Sequence, residues 1–87
     1  MLTGSINFEN YPQMRLVGDE LVDGGTSPLR IDLAGLTHAN SLTVGAMIAW
    51  YRRAAKQDKI IHFDNISEPL HKIIQVSGLQ SVLLGAN

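Results

Sequence analysis

The sequence has no cysteine, only three prolines, few aromatic residues and no long apolar run. Without cysteine there is no disulfide framework, no thiol nucleophile and no cysteine-ligated zinc, so a reducing compartment is permitted. Charge of either sign is sparse, seven Lys/Arg against eight Asp/Glu for a net of −1, and the dense basic footprint of a phosphate-neutralising surface is missing, which disfavours nucleic acid as a partner. No stretch approaches the roughly 20 apolar residues that span a bilayer, and Met1 to Ser5 has neither a basic n-region nor an apolar h-region. Export and membrane insertion are therefore disfavoured, and any membrane connection has to come through a partner. His38, His62 and His71 form no HxxxH or HxH pair, and there is no Gly-rich phosphate loop, Gly-x-Ser-x-Gly elbow or paired-carboxylate spacing. The expectation is a protein with no catalytic residues, no cofactor and no metal.

What is there fits one small domain over residues 1–87. A chain this short buries only about 60–65% of the surface its unfolded form exposes, so it folds with little to spare. Leu2, Gly4, Ile6 and Phe8 alternate with polar residues at the period of a half-buried strand, with Gly4 a candidate bulge. Pro12 suits a first helical turn, and Met14, Val17, Leu21 and Val22 follow on one face of a helix. Gly18 costs that helix roughly 1 kcal/mol relative to alanine, so packing must hold it. Asp23 to Pro28 reads as a loop, Leu29 to Leu33 as a strand, and Gly35 to Ala39 as a turn. A long helix runs from Ser41 to Gln57, a strand from Lys59 to Asp64, a short helix through Leu70, Ile73 and Ile74 to a stop at Gly78, and a last strand over Ser81 to Leu84. The order implies an α/β domain with a small, mostly parallel sheet and three helices.

The most informative position is a hydroxyl at a loop-to-helix junction. Asn40 is a preferred N-cap, which places Ser41 at the first helical position, where bare N–H donors and the helix dipole favour an anion. A phosphate there adds roughly 1.5 to 2 negative charges, and a partner docked over that corner would feel it; the plainer reading is that Asn40 and Ser41 simply start a helix. In that helix Val44, Met47, Ile48, Tyr51, Ala54 and Ala55 form a core stripe, while Leu42, Ala46, Ala49 and Trp50 lie round the side next to Arg53. Trp50 on that second stripe is either a partner contact or covered by the chain's own C-terminal segment or a loop. The candidate interface is Asn40, Ser41, Leu42, Thr43, Ala46, Trp50 and Arg53, with Ser41 the phosphoacceptor-like residue. Arg52, Arg53, Lys56 and Lys59 read as a solvated helix end that complements the dipole. Asp32 reads as an acceptor for the turn that follows it.

The run Ile31-Asp32-Leu33-Ala34-Gly35-Leu36-Thr37-His38-Ala39-Asn40-Ser41-Leu42-Thr43-Val44-Gly45 resembles the signature of STAS domains, in which a strand ending Asp-Leu leads through a turn to Asp-Ser-x-Gly-Leu at a helix start. Thr3 to Phe8 with Pro12 resembles the family's early strand and first helix, and His62-Phe63-Asp64-Asn65-Ile66 with Leu70 and Val76-Ser77-Gly78-Leu79 resembles its last third. The likeness runs from about Leu2 to Leu84 and is nearest to the STAS subunits of ABC-type phospholipid transporters. It implies a STAS-like (SpoIIAA-like) α/β fold and a cytoplasmic, non-catalytic subunit that binds the transporter's ATPase and reaches the inner membrane only through that partner, supporting outer-membrane lipid asymmetry. The alternative it implies is an anti-sigma-factor antagonist that switches partners when Ser41 is phosphorylated. Asn40 stands where the family usually has Asp and Thr43 where glycine is usual, departures that bear more on phosphorylation than on docking. The family's leading strand has no counterpart before Leu2, which implies an exposed sheet edge covered by a partner or by a second copy in a homodimer.

Overall fold

The computed structural model describes residues 3–4, 6–36 and 40–83. In chain order the elements are β1 (Thr3–Gly4), α1 (Tyr11–Gly24), β2 (Leu29–Asp32), β3 (Gly35–Leu36), α2 (Ser41–Lys56), β4 (Ile61–Asp64), α3 (Glu68–Val76) and α4 (Gln80–Leu83). Both strand pairings are parallel: β1 with β3, Thr3 opposite Gly35, and β2 with β4, Leu29 opposite Ile61 through Asp32 opposite Asp64. Parallel neighbours need a crossover, and α2 supplies it between β2 and β4. The small α/β fold with a short parallel sheet is the one expected.

Local chemistry explains where the elements begin. Pro12 lies in the first turn of α1, where its missing N–H costs nothing. Asn40 caps α2, its Oδ1 accepting the Thr43 N–H at 3.0 Å. Ser67 caps α3, its Oγ accepting the Leu70 N–H at 3.3 Å, and Pro69 again falls in the first turn. Gly78 follows α3 at φ +73°, a left-handed conformation that glycine adopts without a Cβ penalty.

Several expectations are corrected. The strand expected over Leu2 to Phe8 is described only at Thr3–Gly4; Ile6 is buried, and Asn7 to Asn10 form a turn with Phe8 exposed. Asn7 Oδ1 accepts from the N–H groups of Glu9 and Asn10, and Asn10 Oδ1 from that of Asn7, a local network that competes with a ladder. Within the expected turn Gly35 to Ala39, Gly35 and Leu36 are strand; Thr37 to Ala39 lie outside the described residues. The expected last strand is a single helical turn, α4, in which the Leu79 carbonyl accepts from Val82 and Leu83, making four helices among the described residues in place of three. Leu84 lies outside the described residues.

The largest correction concerns α2. Its buried residues are Thr43, Val44, Ala46, Met47, Trp50 and Ala54, while Tyr51 and Ala55 are exposed. Trp50 is 0% exposed, and its indole Nε1–H donates to the Arg15 carbonyl at 3.1 Å. The indole fills the space above Gly18, where a β-carbon would overlap ring atoms Cε2, Nε1 and Cζ2. Correspondingly, α1 buries Gly18 and Val22 and leaves Val17 and Leu21 largely exposed. The glycine that weakens α1 in isolation is thus what lets α2 approach it.

Two substitutions test this contact. Trp50→Ala removes a fully buried aromatic and is expected to lower unfolding free energy by about 3–5 kcal/mol. Gly18→Ala, which would favour an isolated helix by about 1 kcal/mol, is expected instead to destabilise by about 1–3 kcal/mol through overpacking. Both are read from denaturant midpoints; a stabilised Gly18→Ala protein refutes the packing account.

Candidate docking site

Asn40 makes the site corner. Besides accepting the Thr43 N–H, its Oδ1 accepts the Thr43 hydroxyl at 3.4 Å, and its Nδ2 donates to the Ile6 carbonyl at 2.7 Å. The segment after β1 is thereby tied to the start of α2. Ser41, next in the chain, is exposed, and Leu42 is half-buried. Across from Ser41 runs α3, which turns Leu70 and Ile74 to the core and lines an open groove of about 310 Å³ with Lys72, Ile73, Val76 and Ser77. Val76 is 90% exposed, a full-sized apolar side chain in solvent beside a cation and a hydroxyl. Ser77 Oγ donates to the Ile73 carbonyl at 2.7 Å, closing the helix at that end.

Of the seven expected interface residues, the structure brings Asn40, Ser41 and Leu42 to this corner. Thr43, Ala46 and Trp50 are fully buried and offer nothing to a partner, because the face expected to be spare packs on α1. Arg53 is committed at the far end of the same helix. Its Nε and Nη2 donate to Asp23 Oδ1 at 2.8 Å and Oδ2 at 2.6 Å, while Nη1 lies 3.8 Å from Asp19. Gln57 Nε2 donates to Asp23 Oδ1 at 2.7 Å, and Lys59 Nζ donates to the carbonyls of Val22 and Asp23. The basic helix end is therefore a clamp on the C-terminus of α1, with only Arg52 and Lys56 solvated beside it. Lys72, Ile73 and Val76 line this groove with Ser41 and were not among the expected interface residues; the signal was Val76, which lies off the Leu70–Ile74 stripe of its own helix.

Electrostatics follow these contacts. The Arg53 guanidinium and then the Gln57 amide hold the Asp23 carboxyl well below the usual carboxylate range, and Asp23 in turn raises Arg53. Asp32 Oδ1 accepts from Asn65 Nδ2 at 3.0 Å and from the Ala34 N–H at 2.8 Å, bonds that lower its pKa in that order. It serves the following turn, as expected. Among the described residues no three of His, Asp and Glu converge on one point.

With that geometry in view, comparison with known proteins is decisive. The family model described as MlaB, STAS domain matches residues 1–85. The chain belongs to the MlaB-type STAS domain family. A chain of the Acinetobacter MlaFEDB complex, solved in an ATP-bound conformation, is 36% identical over 97% of this chain and 88% of its own, with a TM-score of 0.84. A candidate anti-sigma factor antagonist from Thermotoga maritima is 15% identical, with 95% of this chain and 72% of that one covered, and a TM-score of 0.78, a likeness of fold alone. No curated protein matches the sequence. In this STAS domain the corner at Ser41 is the loop-to-helix junction of the signature, and it faces solvent.

The Asp23 clamp makes a pH prediction. Because its pKa is lowered by folding, Asp23 contributes stability that is present above the ordinary carboxylate value near 4 and lost as pH falls toward the folded value. Melting temperature is expected to drop on acidification below about pH 4, and Asp23→Asn is expected to flatten that part of the profile. Identical acid slopes for the two proteins would remove the clamp from the account.

Proposed function

We propose that this STAS domain is a non-catalytic, cytoplasmic subunit that binds the ATPase of an ABC phospholipid transporter, the activity that maintains outer-membrane lipid asymmetry. The observation that carries the reading is its 36% identity, over nearly the whole chain, to a chain of the MlaFEDB complex. The docking surface is Ser41 and Leu42 at the start of α2 together with Lys72, Ile73 and Val76 on α3. An exposed apolar side chain rimmed by polar groups is the usual anatomy of an interface centre, and Val76 between Ser41 and Lys72 has that form. Membrane contact comes through the partner; no helix among the described residues is long and apolar enough to cross a membrane.

Binding of the purified chain to the transporter's ATPase tests this directly. Val76→Asp is expected to weaken binding tenfold or more, about 1.4 kcal/mol, with an unchanged melting temperature, since Val76 contributes little to the core. Full binding by this variant overturns the surface, and failure of the unaltered chain to bind overturns the function.

One observation favours a second reading, partner switching by phosphorylation. The Ser41 hydroxyl is exposed at a helix N-terminus with Lys72 lining the same groove, so a phosphate on Ser41 would meet unpaired helix donors and a cation. That reading predicts a mass increase of one phosphate on incubation with the cognate kinase and ATP, absent in Ser41→Ala; an unmodified wild-type chain rejects it.

A further inference from the structure

Positive charge gathers in one place on a chain whose net charge is −1. A cleft of about 350 Å³ between α1 and α2 is lined by Arg15 from the first helix and by Ala49, Arg52, Arg53 and Lys56 from the second. Four of the chain's seven lysines and arginines thus meet there, and no carboxylate is among the lining residues. The four residues of α2 follow one another at i, i+3, i+4 and i+7, so they form a single stripe along that helix. Ala49, with one methyl group, leaves room between the cations.

Neighbouring acids do not neutralise this cleft. Asp19 lies 3.3 Å from Arg15 Nε and 3.8 Å from Arg53 Nη1, and Asp23 is held by Arg53 at 2.6 Å. Two carboxylates thus engage Arg15 and Arg53, and the charges of the other two cations are uncompensated. Arg52 and Lys56 are exposed, and their side chains make no ion pair or hydrogen bond among the described residues. They stand one turn apart on α2, where like charges repel. The helix dipole favours cations in the last turn, which holds Arg53 and Lys56 but not Arg52, and Arg15 lies in the N-terminal half of α1. Dipole compensation therefore leaves half of the cluster without a reason. The donors left over are those an anion needs. Arg15 uses Nε on Asp19, leaving both terminal nitrogens, while Arg52 keeps its whole fork and Lys56 its ammonium donors. Two planar forks and a point charge lining one cleft suit the oxygens of a phosphate. A phosphate's roughly 1.5 to 2 negative charges also match the surplus, which a single carboxylate would half fill.

We propose that this cleft binds a phosphate dianion, held by Arg15, Arg52 and Lys56, with Arg53 fixed by Asp23 as its wall. A soluble phosphate and the headgroup of a phosphatidate-containing membrane share that chemistry. The cleft has no residue in common with the groove at Ser41 and does not rest on the transporter reading, so failure of the chain to bind an ATPase leaves it standing. Amide NMR of the whole chain is expected to show saturable shifts at the cleft residues with inorganic phosphate and none with sodium chloride at matched ionic strength. Arg52→Gln combined with Lys56→Gln is expected to weaken binding about tenfold. Ala49→Glu sets a carboxylate one turn before Arg52 and Arg53, an arrangement that supports the helix, and is expected to weaken binding as much. Sedimentation with phosphatidylcholine vesicles, with and without phosphatidate, separates the two sources. Phosphatidate-dependent sedimentation that the double variant loses assigns a lipid headgroup, and saturable phosphate shifts without it assign a soluble phosphate. Equal shifts with phosphate and chloride, together with no phosphatidate-dependent sedimentation, overturn the site, and so do saturable shifts confined to other residues. These outcomes are read on the unaltered chain and decide the matter even where a variant fails to fold. Binding that both variants retain with unchanged circular dichroism overturns the assignment of residues. Hexaglutamate bound where phosphate in neither form binds overturns the ligand class.

Discussion

The structure depends on one close approach: the indole of Trp50 lying where Gly18 has no side chain. It fixes which face of α2 is inward, and every other packing relation of that helix follows. With Trp50 inward, Thr43, Ala46, Met47 and Ala54 must be inward too, since they lie on the same side at helical spacing. Arg53 then emerges beside α1 and closes on Asp23, and Ser41 is carried out to solvent at the opposite end. The tryptophan is not left polar-unsatisfied by its burial, because its N–H reaches the Arg15 carbonyl, which meets the usual condition for placing that side chain in a core.

Much of this was legible in the sequence where a single residue type has a single physical role. Pro12, Asn40 and Gly78 mark helix ends because caps, missing donors and left-handed turns are local matters, and Asp32 binds its own turn for the same reason. The facing of α2 was not legible. Leu42, Val44, Ala46, Met47, Ile48, Ala49, Trp50 and Tyr51 make the helix apolar nearly all round, so two stripes satisfy the same periodicity. Only a glycine more than thirty residues away in sequence, roughly a helix-packing distance in space, decides between them. The segment at Ser81 failed for a related reason: over four residues, periods of 2 and 3.6 can look alike.

The groove at Ser41 divides along the same line. Its α2 side could be singled out from the sequence because the cap, the hydroxyl and the signature are contiguous in the chain. Its α3 side could not, because Lys72, Ile73 and Val76 acquire meaning only once β4 has carried the chain back beside the start of α2. Burial of Thr43, Ala46 and Trp50 moves the candidate surface from the flank of one helix to a groove between two.

The two departures from the family signature turn out to be one. Asn40 and Thr43 touch each other: the amide oxygen accepts both the backbone N–H and the hydroxyl of Thr43, while the amide nitrogen donates to the Ile6 carbonyl. An ionised aspartate accepts but does not donate, so the family's usual residue would set a carboxylate against that carbonyl. A glycine at 43 would give the cap no hydroxyl and leave unfilled a site that is fully buried here. The pair therefore reads as a compensated rebuilding of the cap that binds the chain's early segment to α2, and it leaves the intervening Ser41 exposed.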